Sequence, residues 1–206
     1  MYKQLAASLA LAITAAIPAF ATPLTPGITV APSVFSAAGL TAVSPLLSGT
    51  ISPGTFTANY QTRVFADTNN TYCSGCLDFV YGFTNSGPGV VERVTGFNFD
   101  SFLTNVGYLT TGGVAPVTSD RTASGNVVAF SFGTAGVTTG QTSDLLVIMT
   151  NAMNFTDGLF SIQDGSAGTG AAYQPTAVTP EPSSLMLLGT GLIGAAGMAR
   201  RKFLKA

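Results

Sequence analysis

Polar and apolar residues alternate over 55–66. Phe56, Ala58, Tyr60, Thr62 and Val64 fall on one side, and Thr57, Asn59, Gln61 and Arg63 on the other. A period of two is that of a half-buried β-strand. Residues 77–84 repeat it, with Leu77, Phe79, Tyr81 and Phe83 pointing one way. A polar Asp67-Thr68-Asn69-Asn70 stretch and a cysteine loop separate the two runs, which together predict a long hairpin. Residues 90–102 predict a strand region broken near Gly96, with Val91, Phe97 and Phe99 inward. Shorter strands are predicted at 106–109 and 127–132. The run 145–150 is the most apolar and predicts a central strand. Residues 155–160 predict a hairpin with Asp157-Gly158 at its tip.

Glycine and proline punctuate the chain between these runs. No window of helical length in the body shows a 3.6-residue apolar period free of Gly or Pro. About eight strands spaced by turn signals predict an all-β fold, an antiparallel two-sheet sandwich of jelly-roll or Ig-like kind. Strand order stays open. The expected organisation is a signal peptide over 1–21, a Pro/Gly-rich lead-in over 22–54, a β-sandwich domain over 55–170, a linker over 171–182 and a membrane helix with a basic end over 183–206. The lead-in is expected to be irregular, with one short edge strand near 28–30. Residues 165–170 are expected to form a flexible exit.

Charge changes the picture of the body. The whole chain carries −1, but Lys3, Arg200, Arg201, Lys202 and Lys205 sit at its two ends. Residues 22–182 keep Arg63, Arg93 and Arg121 against nine carboxylates, a net charge of −6 without a lysine. Such a surface argues against nucleic acid, which calls for a basic patch. The chain has no histidine. That excludes Ser-His-Asp and Cys-His catalysis and removes the commonest metal ligand.

The remaining candidate chemistry is sparse. Cys73 and Cys76 are expected to form a structural disulfide. A redox centre would need a thiolate stabilised at a helix N-terminus, and strands are predicted on both sides. Asp67, Asp78, Glu92, Asp100, Asp120, Asp144, Asp157 and Asp164 offer pairs for a carboxylate-dependent hydrolase. Most of them sit beside turn residues, where Asp bonds to backbone. Asp67, Asn69, Asn70 and Asp164 stay open as a weak calcium loop. Tyr60, Tyr72, Tyr81, Tyr108 and Tyr173 offer sugar-stacking platforms, but they alternate as core residues do. No cofactor and no metal site is expected.

The ends of the chain carry addresses. Lys3, the apolar run 5–17, Pro18 and the Ala19-Phe20-Ala21 triplet have the order of a secretory signal, with cleavage after Ala21. An uncleaved anchor is the alternative. At the other end, Pro180-Glu181-Pro182 precedes an uncharged stretch 183–199, followed by Arg200-Arg201-Lys202. As a helix that stretch would be about 25 Å long, just short of a hydrocarbon core of roughly 30 Å. The basic cluster would stop it at the cytoplasmic face. Its four glycines suit either close helix docking or an ordinary short anchor.

Residues 179–202 resemble the PEP-CTERM sorting signal of Gram-negative bacteria. The resemblance implies export through the inner membrane, a membrane-anchored precursor and processing by an exosortase, in cells that make exopolysaccharide. It says nothing of what the body does. The expected role is a non-enzymatic protein of the cell surface or exopolysaccharide matrix. The alternatives are a carbohydrate-binding module for matrix polysaccharide and, further off, a carboxylate-dependent hydrolase.

Overall fold

The computed structural model describes residues 22–177 and Thr190. The signal segment with Ala19 and Ala21, the Pro180-Glu181-Pro182 motif, the helix expected over 183–206 and the Arg200-Arg201-Lys202 stop lie outside the described residues. No helix among the described residues is long and apolar enough to cross a membrane. Within 22–177 strand is the only regular structure.

The alternating runs pair as the pattern predicts. β6 (Ala58–Asp67) and β7 (Cys76–Asn85) form one antiparallel hairpin, in register from Ala58↔Asn85 to Asp67↔Cys76. β14 (Leu145–Thr150) adds to β7, and β10 (Thr104–Leu109) adds to β14. The most apolar run is therefore an interior strand, as expected. β1 (Thr22–Pro23) and β3 (Ser33–Val34) flank β10, while β4 (Leu40–Ala42) and β5 (Leu47–Ile51) flank β6. The second sheet runs β16 (Ser166–Thr176), β15 (Asn154–Asp164), β9 (Arg93–Gly96), β12 (Val128–Ser131), β11 (Thr118–Arg121), β2 (Thr29–Val30). A small ribbon joins β8 (Val90–Val91) to β13 (Val137–Thr138). Among the described strands only the β3–β10 pair is parallel.

Both large sheets bury side chains in one core. Phe79 of β7 meets Phe99 edge-on at 5.6 Å, Phe83 meets Phe132 at 5.6 Å, and Tyr81 meets Phe160 of β15 at 5.7 Å. The first two pairs are edge-on, a geometry that adds about 0.5–1.5 kcal/mol beyond burial, and the third is tilted. Val91 and Phe99 point inward, as expected, whereas Phe97 stays half-buried.

Three expectations are corrected. The lead-in is not irregular: β1 to β5 all lie in it, at sheet edges. Its prolines explain both facts, because a residue without an N–H is tolerated at edges and in short pieces. Asp157-Gly158 is not a turn. It lies extended in β15, with Gly158 opposite Ala172, and the turn falls at the next Asp-Gly pair, where Gly165 takes φ +60°. Residues 166–176 are accordingly neither a flexible exit nor the start of a linker but the strand β16. This strand lies against the first sheet, and the Ala171 N–H donates to the Tyr60 hydroxyl at 3.0 Å.

One end is tied by Arg121, which is 4% exposed. Its Nε donates to the Gly125 carbonyl at 2.9 Å. Nη1 donates to Thr104 Oγ1 and Leu24 O at 3.0 and 3.3 Å, and Nη2 to Phe99 O and Phe102 O at 2.5 and 2.8 Å. Replacing Arg121 with Met leaves the Gly125 and Phe102 carbonyls without their donor, while Leu24 O keeps Thr104 Oγ1 and Phe99 O keeps the Phe102 N–H. A loss of roughly 3 kcal/mol or more is expected, given about 1–3 kcal/mol for each group left unsatisfied. Urea unfolding reads it directly. Arg121→Lys should recover only part, because an ammonium cannot reproduce the planar fork.

Candidate functional site

The outer side of the first sheet has two unlike halves. Toward the β6–β7 turn, Phe35, Val80, Val147 and Met149 make a second apolar cluster with Phe65 and Tyr72 packed on it. The lead-in and loop 68–75 cover this half. Toward the other end the side chains turn polar: Ser48 stands opposite Gln61, Gln61 opposite Gly82, and Asn59 opposite Thr84. This half is open.

A cavity of about 660 Å³ lies over it, lined by Gln61, Gly82, Thr111, Gln141, Thr142 and Leu145 among others. Two further cavities of about 240 Å³ adjoin it, and Gln61 borders all three. Together they make a groove. Gly82 keeps its floor flat, since a Cβ there would stand 2.7 Å from the Leu145 side chain. Gly113 lets one wall close, because a Cβ there would come 2.5 Å from the backbone of Ser143. Asp144 sews that wall. Its Oδ1 accepts from Thr111 N at 2.7 Å, Thr111 Oγ1 at 3.1 Å and Gly113 N at 3.0 Å.

The large cavity presents neutral hydrogen-bonding groups, whereas the one beside Arg63 is lined mainly by Leu46, Phe65, Val80 and Leu145. The Gln61 amide meets no hydrogen-bond partner among the described residues. Gln141 Oε1 accepts from Thr138 N and Oγ1 at 2.9 and 2.8 Å, which leaves its NH₂ group. Asn59 Oδ1 accepts from Thr50 Oγ1 at 2.8 Å, with the same consequence. Among the lining residues of the three cavities only Arg63 is charged, at the margin.

The sequence candidates are dispersed. Asp120 makes a two-pronged ion pair with Arg93 on the second sheet, at 2.7 Å for each bond. Asp164 Oδ2 accepts from Val90 N. Glu92, Asp100 and Asp157 are exposed at separate places. No two carboxylates face one another across the groove among the described residues. Nor do three or more His, Cys, Asp or Glu residues cluster as metal ligands there. Of the tyrosines, Tyr81 and Tyr173 are buried, and the Tyr72 hydroxyl donates to Asn105 Oδ1 at 2.5 Å. The large cavity has no aromatic lining. Tyr60 and Phe83 line the cavity beside Asn59, and the alternation of β6 displayed Asn59 and Gln61 without marking them as a site.

Cys73 and Cys76 are joined by a disulfide at the far end of the hairpin. The Met153 sulfur lies 3.7 and 3.8 Å from theirs. Loop 68–75 closes over Asp67 and Asp78, which are 1% and 0% exposed. Asp67 accepts from Asn69 N at 2.8 Å, and Asp78 Oδ1 accepts from Asn70 Nδ2 at 3.1 Å. Asp78 Oδ2 has no hydrogen-bond partner among the described residues. Burial, and then the neighbouring Asp67 charge, push the Asp78 carboxyl up to about 8. Burial also raises Asp67, against the pull of the Asn69 N–H.

A family model described as the PEP-CTERM protein-sorting motif matches residues 178–202. The tail therefore carries this sorting signal, which implies export, a membrane-anchored precursor and exosortase processing. No curated protein and no solved structure matches the chain.

Two outcomes follow from these features. Replacing Pro180, Glu181 and Pro182 with alanine should leave unprocessed precursor in the inner membrane, as cell fractionation with intact mass would show. Asp78, neutral in the folded state up to pH about 8, binds a proton that the unfolded chain releases near its ordinary value. Its stabilisation is complete below pH about 4 and is lost as pH rises to about 8. Asp78→Asn should flatten the fall in stability across that window and be more stable than the wild type at pH 8, as thermal melts would show.

Proposed function

We propose that the protein is an exported, non-enzymatic component of the cell surface or exopolysaccharide matrix. Its body is a two-sheet sandwich that holds a neutral polysaccharide in the groove around Gln61. Successive strands pass repeatedly between the sheets, from β7 to β9 to β10 to β11 and from β12 to β14 to β15. That favours a jelly-roll arrangement over an Ig-like one.

The observation that carries the ligand is the groove's chemistry. Amide and hydroxyl groups stand over a glycine floor, and no carboxylate lies among the lining residues. Sugar hydroxyls both donate and accept, so uncharged amides such as Gln61 and Gln141 match them. The cavity size is within the about 300–1,000 Å³ common for ligand sites. An acidic body discourages polyanions by long-range repulsion. The groove supplies neither a nucleophile with a base beside it nor a facing acid pair, and this supports the non-enzymatic reading.

The test is affinity electrophoresis in gels containing neutral or uronic-acid polysaccharides. Retardation is expected in a neutral gel. The Gln61→Leu, Thr142→Val double variant should lose about tenfold in affinity, equivalent to about 1.4 kcal/mol. Migration unaffected by every neutral polysaccharide would overturn the ligand assignment.

A further inference from the structure

The sorting tail leaves the body at one particular end. β16 finishes at Thr176, opposite Asn154, and the matched motif begins at residue 178. Beside Asn154 stands Met153, 60% exposed, against the Cys73–Cys76 disulfide. Leu103, 58% exposed, is tied to the same corner by its N–H bond to Asn151 Oδ1 at 2.9 Å. The groove lies toward the opposite end, where Gln141 and Thr142 form its wall.

We propose that the apolar corner of Leu103, Met153 and the Cys73–Cys76 loop is a docking surface for the exosortase that processes the tail. The proposal rests on the sorting reading and is independent of the polysaccharide assignment. Reach supports it. Three residues lie between Thr176 and Pro180, a span of four steps, so the motif stands at most about 14 Å from the end of β16. An enzyme gripping residues 180–182 must lie against this end of the body. Two large exposed apolar side chains and a disulfide would then bury surface on it.

Charge selects protein over lipid as the occupant. Asp100 and Asp157 are exposed at or near this end, and among the described residues its one cation, Arg121, is buried. Arg93 is paired with Asp120, and Arg63 stands on the outer side of the first sheet. The corner has no exposed cation among the described residues with which to hold lipid phosphates, the attraction that seats basic segments on a membrane. An enzyme with an apolar rim beside its active-site entrance fits the corner without that attraction.

The test follows processing of the full chain by pulse-chase in the native cells. The Leu103→Ser, Met153→Ser variant should be processed roughly tenfold more slowly than wild type, as expected if these contacts hold the enzyme. Val117→Ser, also at an exposed position but away from this corner, should be processed at the wild-type rate. Thermal melts of the detergent-solubilised full chains check that all are folded. A photo-crosslinking residue at Met153 should capture the exosortase, and one at Thr142 should not. Equal processing rates for folded variants, or crosslinks from Met153 to lipid alone, would overturn the proposal. Wild-type chain that is never processed would overturn the sorting reading as well, whereas failure of polysaccharide binding would leave this proposal standing.

Discussion

Arg121 is a buried cation that makes no ion pair among the described residues, and its end of the body is arranged to satisfy it. Desolvation of a guanidinium is costly unless its donors are used. Here the five bonds end on the backbone of Leu24, Phe99, Phe102 and Gly125 and on the Thr104 hydroxyl. Those acceptors come from the lead-in, the loop after β9, the start of β10 and the turn after β11. Stretches of chain as far as 97 positions from Arg121 are held at one point. Asn85 does related work at the other end, donating to the carbonyls of Gly89 and Val137 and accepting from Gly87 N. Between them lies an apolar core in which β7 is buried along nearly its whole length.

The outer side of the first sheet shows how one surface can serve two purposes. Its apolar half is covered by the lead-in and by the disulfide loop, so its stability depends on segments far away in sequence. Its polar half needs no cover, because Asn59, Gln61 and Thr84 are content in water. The covering has an electrostatic cost, which falls on Asp78. That carboxyl is enclosed beside Asp67 with one oxygen unpartnered among the described residues, and protonation removes the charge that burial penalises.

What the sequence made legible was what local pattern determines. Alternation over 55–66 and 77–84 was enough to place the β6–β7 hairpin, and the apolar run 145–150 was enough to place β14 inside a sheet. Turn placement was less secure, because two Asp-Gly pairs compete within ten residues. Only the partner strand decides that Gly158 is extended and Gly165 turns. The lead-in looked irregular because two- and three-residue strands have no period to read. The groove was half legible. Its floor is the polar side of β6, but its walls at 111–113 and 141–143 meet through contacts such as Val114 N to Thr142 O, which no local pattern encodes. Asp144 looked like an ordinary turn residue, and its work is indeed to bind backbone, though across 31 to 33 positions.

The Tyr60 hydroxyl that receives the Ala171 N–H has a meaning beyond the fold. A sheet that ends in an eleven-residue strand offers a template on which a second molecule can add its own strand. Many proteins guard such a margin with lysine, and this body has none. Here the margin is folded against β5 and β6, and a phenol occupies one of its free donors. Two copies of the body that meet along this margin therefore find fewer free backbone donors with which to pair strand on strand.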